Sequence, residues 1–405
     1  MSEMKNIPKH WQLKKLGEVC DIRNGKNQKA VVNPNGKYPI YGSAGIMGYA
    51  DEYLCGEGAT IIGRKGTINR PIYVRTKFWN VDTAFGFSPF IELIESRFLF
   101  FFCQSFNFHK LDKSTTIPSL AKTDLQKIEL PIPPLLEQQA IVSKIEELFS
   151  ELDNGIAQLK TAQQQLKVYR QSLLKWAFEG KLTNKNVKEG ELPDGWKWMK
   201  LGEVAKVSGG LTKNSKRESL TLRVPFLRVG NVYFNRLDLV EMHSIGIKNV
   251  EMERVRLEKN DLLFVEGNGS IEQIGRVALW TGEIKNCVHQ NHLIKARFSK
   301  SVFPKYALYF YCSKSGRDNI KKQANSTSGL HTLNLSKISN LELPITTLKE
   351  QQLIVSELES KLTVCDKIEE TISQSLQQAE TLRQSILKKA FSGELVKNRA
   401  NPKII

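Results

Sequence analysis

The side chains best suited to reading nucleic-acid bases lie in polar loops between apolar stretches of this sequence. Arginine and lysine pair with guanine, asparagine and glutamine pair with adenine, and apolar groups contact the thymine methyl. A loop at 63–67 carries a basic pair between two glycines, which let a backbone approach a ligand closely. The predicted DNA contacts in this first part of the chain are Arg64, Lys65 and Thr67, followed by Tyr41 and Ser43.

A second group of base-reading side chains lies further along the chain. Its predicted DNA contacts are Arg228, Asn231, Asn268, Ser270 and Arg276. The polar run His289-Gln290-Asn291-His292 also suits a base edge or a phosphate, and its alternative is a hydrogen-bonded strand end. From this run we predict DNA contacts by His289, Gln290 and His292. Two histidines three residues apart lack a third ligand, so we predict no metal site.

Two loops rich in serine and threonine supply hydroxyl and N–H groups, which bind phosphates in many DNA-binding proteins. They lie at 114–119 and 326–332. The predicted phosphate contacts are Thr115, Thr116 and Ser119 in the first loop, and Ser326, Thr327 and His331 in the second.

Catalytic motifs that would accompany DNA chemistry are absent from the sequence. An adenine methyltransferase would need an Asn/Asp-Pro-Pro-aromatic tetrapeptide, and the pair Pro133-Pro134 lies between Ile132 and Leu135 instead. No G-x-x-x-x-G-K-[ST] phosphate-binding loop occurs. We therefore predict no catalytic residue and no cofactor site in this chain.

The charge of the chain points to a polyanionic partner. Its 59 lysines and arginines exceed its 42 aspartates and glutamates by 17. Residues 1–130 contribute +6 and residues 196–343 contribute +11, whereas 131–180 carry −1 and 344–405 carry +1. A protein that neutralises DNA phosphates needs such an excess. Because the excess is confined to two segments, we expect those segments, rather than the regions after them, to contact DNA.

Length and composition limit the remaining alternatives. With 405 residues, of which 40% are hydrophobic, the chain is expected to form two or three folded domains. The six cysteines form no CxxC pair, which argues against disulfides and structural zinc. The start of the chain lacks a signal-peptide core, and no apolar run could span a bilayer. We therefore expect a cytoplasmic protein.

The chain contains an internal duplication. Trp11-Gln-Leu-Lys-Lys-Leu-Gly-Glu-Val19 recurs 185 residues later as Trp196-Lys-Trp-Met-Lys-Leu-Gly-Glu-Val204. The triplet Glu137-Gln138-Gln139 recurs 213 residues later, as does an Ala-Phe-x-Gly run ending at Gly180 and at Gly393. The offset grows by 28 residues, so the second copy carries a longer middle. Two diverged segments are therefore each followed by a preserved one.

The preserved segments are predicted to be long helices. Apolar residues recur at steps of three and four from Glu137 and from Glu350, and no proline interrupts either run. Pro133 and Pro134 precede the first helix, Thr347 can cap the second, and glycines follow both. Each helix would span about 40 residues, or roughly 60 Å. An apolar stripe of that length needs a partner, and we expect the two helices to pair as a coiled coil.

The diverged segments are predicted to be mixed, mostly β domains, because short β-rich runs alternate with turn residues. The expected organisation is a first domain at 1–130, a helical spacer at 131–182 and a linker at 183–195, then a second domain at 196–343, a C-terminal helical spacer at 344–396 and a tail at 397–405. The expected fold class is α+β with an internal pseudo-two-fold repeat.

Taken in order, these pieces resemble the specificity subunit of Type I restriction–modification enzymes, over essentially the whole chain. The most specific are the Leu-Pro…Glu-Gln-Gln…Ala-Phe-x-Gly units at 130–182 and 343–395. Segments 224–231, 260–264 and 326–333 are similar to that family's target-recognition domains, with analogous segments at 38–43, 63–66 and 114–119. The resemblance implies that each domain reads half of a split, asymmetric DNA target and that the helices pair antiparallel.

The resemblance also implies partners that carry the chemistry. Two methyltransferase subunits would dock on the helical regions and methylate adenine at N6 with S-adenosylmethionine, and two restriction subunits would add ATP- and magnesium-dependent translocation and cleavage. Three alternatives stay open: a solitary regulatory member of the family, a methyltransferase with its own recognition domain, which the missing motifs disfavour, and a coiled-coil adaptor without a DNA role, which leaves the confined charge unexplained.

Overall fold

The computed structural model of the chain describes residues 7–184, 187–188, 190–327 and 329–396, with the backbone alone at 325–327. It comprises two units. Unit 1 joins Met1–Lys160 with Ile372–Ile405, and unit 2 is Thr161–Thr371. Each unit therefore combines one of the two β-rich domains with portions of both long helices.

In unit 1, the first domain is built from nine strands and three short helices. They are β1 Gln12–Lys15, α1 Leu16–Val19, β2 Cys20–Asn24, β3 Tyr38–Gly42, β4 Gly45–Ala50, β5 Ala59–Gly63, β6 Ile72–Val74, β7 Trp79–Asn80, β8 Ala84–Pro89, α2 Ser96–Ser105, α3 Lys122–Leu125 and β9 Glu129–Ile132, with a 3₁₀ turn at Phe108–Leu111. The first long helix, α4, follows at Leu135–Phe178.

In unit 2, the second domain has fourteen strands and five short helices among the residues described. They are β10 Lys197–Lys200, α5 Leu201–Val204, β11 Ala205–Gly209, β12 Arg223–Leu227, β13 Val232–Tyr233, β14 Arg236–Leu237, β15 His243–Gly246, α6 Asn249–Val255, β16 Leu262–Val265, β17 Gly267–Asn268, β18 Val277–Leu279, β19 Val288–His289, β20 Leu293–Phe298, α7 Pro304–Cys312, α8 Lys314–Gln323, β21 Asn325–Thr327, β22 Leu330–Thr332, α9 Leu335–Ser339 and β23 Glu342–Ile345. The second long helix, α10, occupies Leu348–Phe391.

The two domains share one sheet topology although their sequences diverge. A four-stranded sheet has the order β2-β8-β5-β6 in the first domain and β11-β20-β16-β18 in the second. A three-stranded sheet has the order β4-β3-β7 in the first and β15-β12-β19 in the second, and its inner strand pairs in parallel with β7 or β19 in each case. The predicted duplication therefore extends through the diverged segments.

Each domain carries a helix that closes its core. In α2, Phe98, Leu99 and Phe102 are buried against the sheet and the end of α10, where Phe391 contacts Phe98 at a ring distance of 5.1 Å. In α7, Tyr306 and Phe310 are buried in the corresponding way and contact the Phe178 ring at the end of α4. These aromatic residues thus lie on helices that pack on each sheet.

The long helices both span 44 residues, and they pair antiparallel as predicted. In unit 1, Arg383 of α10 forms an ion pair with Asp153 of α4 and lies 4.4 Å from the Phe149 ring. In unit 2, Arg170 of α4 donates to Asp366 at 2.7 Å and to Glu369 at 3.0 Å. Residue numbers thus rise along one helix as they fall along the other.

The Glu-Gln-Gln triplets join each helix to its domain. The Glu137 carboxylate accepts from the Trp11 indole at 3.1 Å, and Glu350 accepts from Trp196 at 3.2 Å. Gln138 is fully buried, with its amide donating to the carbonyl oxygens of Leu93 and Pro133 and its oxygen accepting from the Glu95 N–H. Its carbonyl and amide therefore satisfy three backbone groups from two chain segments.

Gln351 repeats that arrangement in unit 2. Its amide donates to the carbonyls of Ser301 at 3.1 Å and Thr346 at 2.8 Å, and its oxygen accepts from the Phe303 N–H at 2.8 Å. Trp11 and Trp196 are both buried in the cores of their units.

The remaining general expectations can be compared directly with the structure. All six cysteines are free. No helix in the described part of the chain combines the length and apolarity needed to cross a membrane.

Candidate nucleic-acid interface

Three loops of the first domain meet at one end of its sheets. The loop after β5 turns back sharply, so that a Cβ on Gly63 would lie 2.0 Å from the Thr67 carbonyl oxygen and 3.1 Å from the Ser43 side chain. Gly66, at φ +78°, donates its N–H to the Pro118 carbonyl at 2.9 Å. The structure thus brings together the predicted contacts at 41–43, 64–67 and 115–119. The first and last of these segments are more than 70 residues apart in the sequence.

Asp112 organises the serine–threonine loop of this cluster. Its carboxylate accepts hydrogen bonds from the Ser114 hydroxyl at 2.6 Å, the Ser114 N–H at 3.0 Å and the Ser119 N–H at 3.0 Å. These hydrogen bonds, led by that from the Ser114 hydroxyl, lower the pKa of Asp112 below its ordinary value. Thr115 and Thr116 lie between the two anchored residues and are exposed, so their hydroxyls are available to a ligand.

The second domain gathers its candidate residues at the corresponding place. Asn268 of β17 pairs in register with His331 of β22. The Gln290 side chain accepts from the Val229 N–H at 3.3 Å, and Arg276 donates to the Val229 carbonyl at 3.5 Å. These contacts bring the loops after β12, β16 and β19 together.

The equivalence of the two sites is visible in the backbone. Gly25, after β2, and Gly210, after β11, would each place a Cβ about 2 Å from a carbonyl oxygen at the end of β7 or β19, namely that of Val81 or His289. The register places Tyr41 opposite Asn80 and Leu227 opposite His289. Both backbones therefore require glycine at the same point of the sheet.

Two predicted DNA contacts are structural instead. Asn231 is 6% exposed, accepts from the Arg228 N–H at 2.9 Å and donates to the carbonyls of Asp238 and Glu241. His289 is 0% exposed, and its Nδ1 contacts the Leu293 carbonyl at 2.8 Å. We correct both assignments, because a side chain enclosed in its own domain has no face to offer a base edge. Asn80 replaces His289 in the first domain and donates to the Ala84 carbonyl.

The other residues of the polar run are differently placed. His292 is exposed and pairs with Glu266 at 2.8 Å, so an acidic group already neighbours it. Ser270 is exposed, and its N–H donates to the Asn268 side chain at 2.9 Å. No group of three or more histidine, cysteine or acidic side chains among the described residues could hold a metal ion. The side chains of Ser326 and Thr327 lie outside the described part of the chain, whose backbone there forms β21.

Two arginines of the second site carry unpaired donors. The Nε atoms of Arg228 and Arg276 are enclosed and have no hydrogen-bond partner among the described residues. An unsatisfied buried donor costs about 1–3 kcal/mol, so both side chains would gain by turning toward an acceptor. A phosphate or a guanine edge supplies such an acceptor.

The structure adds basic residues that no motif marked. Arg228 lines a pocket of about 280 Å³ together with Lys213, Arg223 and His243. Arg217, on the same pocket, donates to both oxygens of Glu251 and depresses the pKa of that carboxyl to about 2. Only the regional excess of positive charge pointed to these residues. Arg223 and His243 converge through the pairing of β12 with β15, and Arg217 joins them by donating to the Gly246 carbonyl.

Comparison with known proteins identifies the family. The model of the Type I restriction modification DNA specificity domain matches residues 8–161 and again residues 193–378. The chain belongs to this family. The two matches fall on the two halves of the duplication, which confirms both the resemblance and the repeat.

Individual relatives are similar over different lengths. The chain is 31% identical to the EcoKI specificity subunit of Escherichia coli K12 over 314 residues, which are 75% of this chain and 66% of that subunit. It is 29% identical to the StySPI specificity subunit of Salmonella potsdam over 70% of this chain and 61% of the relative. It is 23% identical to the EcoDI specificity subunit of Escherichia coli over 96% of this chain and 89% of the relative. The first two matches thus span less than two thirds of the relatives' own length.

Solved structures share the fold of this chain. The HsdS subunit from Thermoanaerobacter tengcongensis is 19% identical, with a TM-score of 0.65 over 97% of this chain and 100% of that chain. A chain from a study of complex assembly and conformational transition of the type I R-M system is 19% identical, with a TM-score of 0.72 over 96% of this chain and 99% of its own. At this identity the similarity establishes the α+β fold with two domains and two long helices.

Proposed function

We propose that this chain is the DNA-recognition subunit of a Type I restriction–modification complex and that it reads a split, asymmetric DNA target. The observation that carries the proposal is the repetition of one site: both family matches contain a basic β domain with its candidate residues at the same sheet end. Unlike side chains at equivalent positions, such as Arg64 and Glu266, favour a different sequence for each half.

The chain is proposed to be non-catalytic and to depend on partners. The methyltransferase and restriction subunits would carry S-adenosylmethionine, ATP and magnesium. A complex with two methyltransferase and two restriction subunits suits the duplication, because each repeat offers one equivalent docking surface.

We propose that the methyltransferase subunits dock on exposed apolar residues of the long helices. In unit 2, Tyr169 and Trp176 of α4 are 43% and 39% exposed, and their spacing of seven places them on one side of the helix. Val364 and Ile368 of α10 are 55% and 44% exposed and lie one turn apart. Exposed apolar side chains of this size on a helix favour protein contacts over DNA contacts.

The docking proposal predicts that Trp176→Glu weakens the complex. Burying an unpaired carboxylate in an apolar interface is strongly unfavourable, so we expect loss of one methyltransferase subunit in native mass spectrometry. Lys167→Glu, on an exposed position of the same helix, is the matched control and should retain it. Equal retention by both variants would contradict docking at Trp176.

The function itself is tested by mapping DNA methylation in cells that express this chain with a Type I methyltransferase subunit. We expect a new N6-methyladenine motif in two short parts separated by a fixed unread gap. Cells with the methyltransferase alone provide the control. If a soluble complex forms without any new motif, the recognition function is refuted in favour of a regulatory or adaptor role.

A further inference from the structure

The second domain has a two-stranded ribbon, within residues 228–242, that the first domain lacks. Strands β3 and β4 are joined by Ser43 and Ala44 alone, whereas the equivalent strands β12 and β15 are joined by residues 228–242. This longer connection contains a 3₁₀ turn at Val229–Asn231 and the antiparallel pair β13–β14. It accounts for part of the length difference between the repeats.

The tip of the ribbon exposes two aromatic rings in a fixed backbone. Tyr233 is 39% exposed and Phe234 is 37% exposed. Asn235, which follows them, has φ +50°, and its N–H donates to the Val277 carbonyl at 2.8 Å. The turn is therefore tied to β18, and its rings are held at the surface.

Three arginines surround these rings. Arg317 lies 4.8 Å from the Phe234 ring and donates to the carbonyls of Gly275 and Ile274, so it supports the ring from within the domain. Arg236 lies 4.6 Å from the Tyr233 ring and is exposed. Arg276 lies 5.6 Å from that same ring. The surface therefore combines exposed aromatic area with positive charge.

The ribbon is continuous with the candidate DNA site. Arg276 contacts both the Tyr233 ring and the Val229 carbonyl, and the Val229 N–H donates a hydrogen bond to the Gln290 side chain. Glu272, which lies just before Gly275 and Arg276, is paired with Lys321, so its charge is already balanced. The arginines of this surface suit a polyanion, and its exposed rings suit flat apolar groups on the same ligand.

We propose that the ribbon is an additional DNA-backbone contact specific to the second domain, in which Arg236 binds a phosphate and Tyr233 and Phe234 pack on deoxyribose. The inference rests on the proposed function and adds a contact that no recognition motif marked. Backbone contacts position a protein without specifying bases. The ribbon therefore extends the footprint on the second domain's half of the target and leaves its sequence unchanged.

The test measures binding of the complex with its methyltransferase partner to a duplex carrying its methylation motif, at several salt concentrations. Losing one phosphate contact should make the slope of log K against log salt shallower by about 0.9, the expected result for Arg236→Gln. The double variant Tyr233→Ser/Phe234→Ser should bind roughly tenfold more weakly with the slope unchanged, since it removes uncharged contacts. Both variants should methylate the wild-type motif.

Lys197→Gln is the matched control, because Lys197 is exposed on β10, which pairs with β23 and not with the sheets that carry the ribbon. Wild-type slope and affinity for Arg236→Gln in a complex that binds its target would overturn the phosphate assignment. An altered motif in either variant would overturn the backbone role in favour of base reading. Failure of the wild-type complex to recognise any sequence would instead refute the proposed function itself.

Discussion

At the scale of single residues, candidate DNA contacts are separated from structural polar groups by burial and existing hydrogen bonds. Arg64 and Lys65 occupy a glycine-flanked loop at the sheet end, and Lys65 is exposed. Asn231 and His289 are also polar side chains of a type that can contact DNA, but both are buried within the second domain. Residue type alone therefore identifies a set of candidates, and solvent access narrows that set.

Arg64→Ala tests base reading in the first domain. If Arg64 pairs with a guanine, we expect a loss of about 1–3 kcal/mol in binding and relaxed preference at one base pair of one half-target. Competition binding with duplexes substituted at each position measures both effects. Arg70→Ala is the control, because Arg70 is an exposed arginine near the other end of the same β5–β6 loop. Uniform weakening across all duplexes would show a phosphate contact instead.

His289 makes the stability of the second domain depend on pH. Burial, followed by the positive charge of Lys295, lowers the pKa of His289 to about 3. In the unfolded chain the His289 imidazole takes up a proton near pH 6.5, whereas in the folded domain it stays neutral. Its contribution to folding stability is therefore fully present above pH 6.5 and declines as the pH falls toward 3. The expected decline is about 1.4 kcal/mol for each pH unit within this window.

His289→Asn is the matching variant, because asparagine occupies the equivalent position 80 of the first domain. Urea unfolding at pH 7.5 and 5.0 should show a smaller pH dependence for this variant than for the wild type. An identical pH dependence of the two proteins would rule out His289 as the titrating group.

At the scale of elements, the most informative contacts attach the long helices to the domains. Gln138 and Gln351 each satisfy three backbone groups at a helix start. The triplet was recognisable as a repeat, but its role was not, because one of the two carbonyls that each glutamine binds belongs to a loop about 45–50 residues away. Only the folded chain brings Leu93 or Ser301 to the helix.

Gln138→Leu should loosen the start of α4 by removing the partner of three backbone groups, of which the Pro133 carbonyl bond is buried and the other two are part-buried. We expect a loss of about 1–3 kcal/mol in the stability of unit 1, the cost of one buried unsatisfied group. Hydrogen exchange should accelerate at the Glu95 N–H, which loses its acceptor. Gln139→Leu, an exposed neighbour, is the control, and equal exchange in the two variants would contradict this role.

At the scale of the whole molecule, positive charge is divided between the two domains, with +6 in residues 1–130 and +11 in residues 196–343. The structure places candidate phosphate and base contacts in both domains rather than along the helices. Recognition of DNA by the complex should therefore be strongly electrostatic, and both domains should contribute to it.

Target binding by the complex is predicted to weaken steeply with salt. If the two domains together neutralise about 6–10 phosphates, affinity should fall by roughly 10³–10⁵ between 50 and 200 mM salt. Fluorescence anisotropy with a labelled target duplex measures this slope, and a duplex of unrelated sequence gives the nonspecific reference. A slope corresponding to only one or two phosphates would contradict a binding surface spread over both domains.

The sequence by itself determined the duplication, the two long helices, the β-rich domains and the family, because local periodicity and matched motifs reveal these features. Long apolar stripes and turn residues act over a few neighbouring positions, so they can be recognised without the fold. The resemblance rested on ordered motifs, and the family match to both halves confirmed it.

Only the tertiary structure decided which polar residues are accessible and which loops converge. His289 is buried because β19 lies beside β12, and the 228–242 ribbon packs on β18 because a long connection joins β12 to β15. Neither fact follows from local sequence, since strand partners lie many residues apart and burial depends on what packs over them. The shared topology of two diverged domains likewise emerged from strand pairing, which conserves backbone contacts while side chains change.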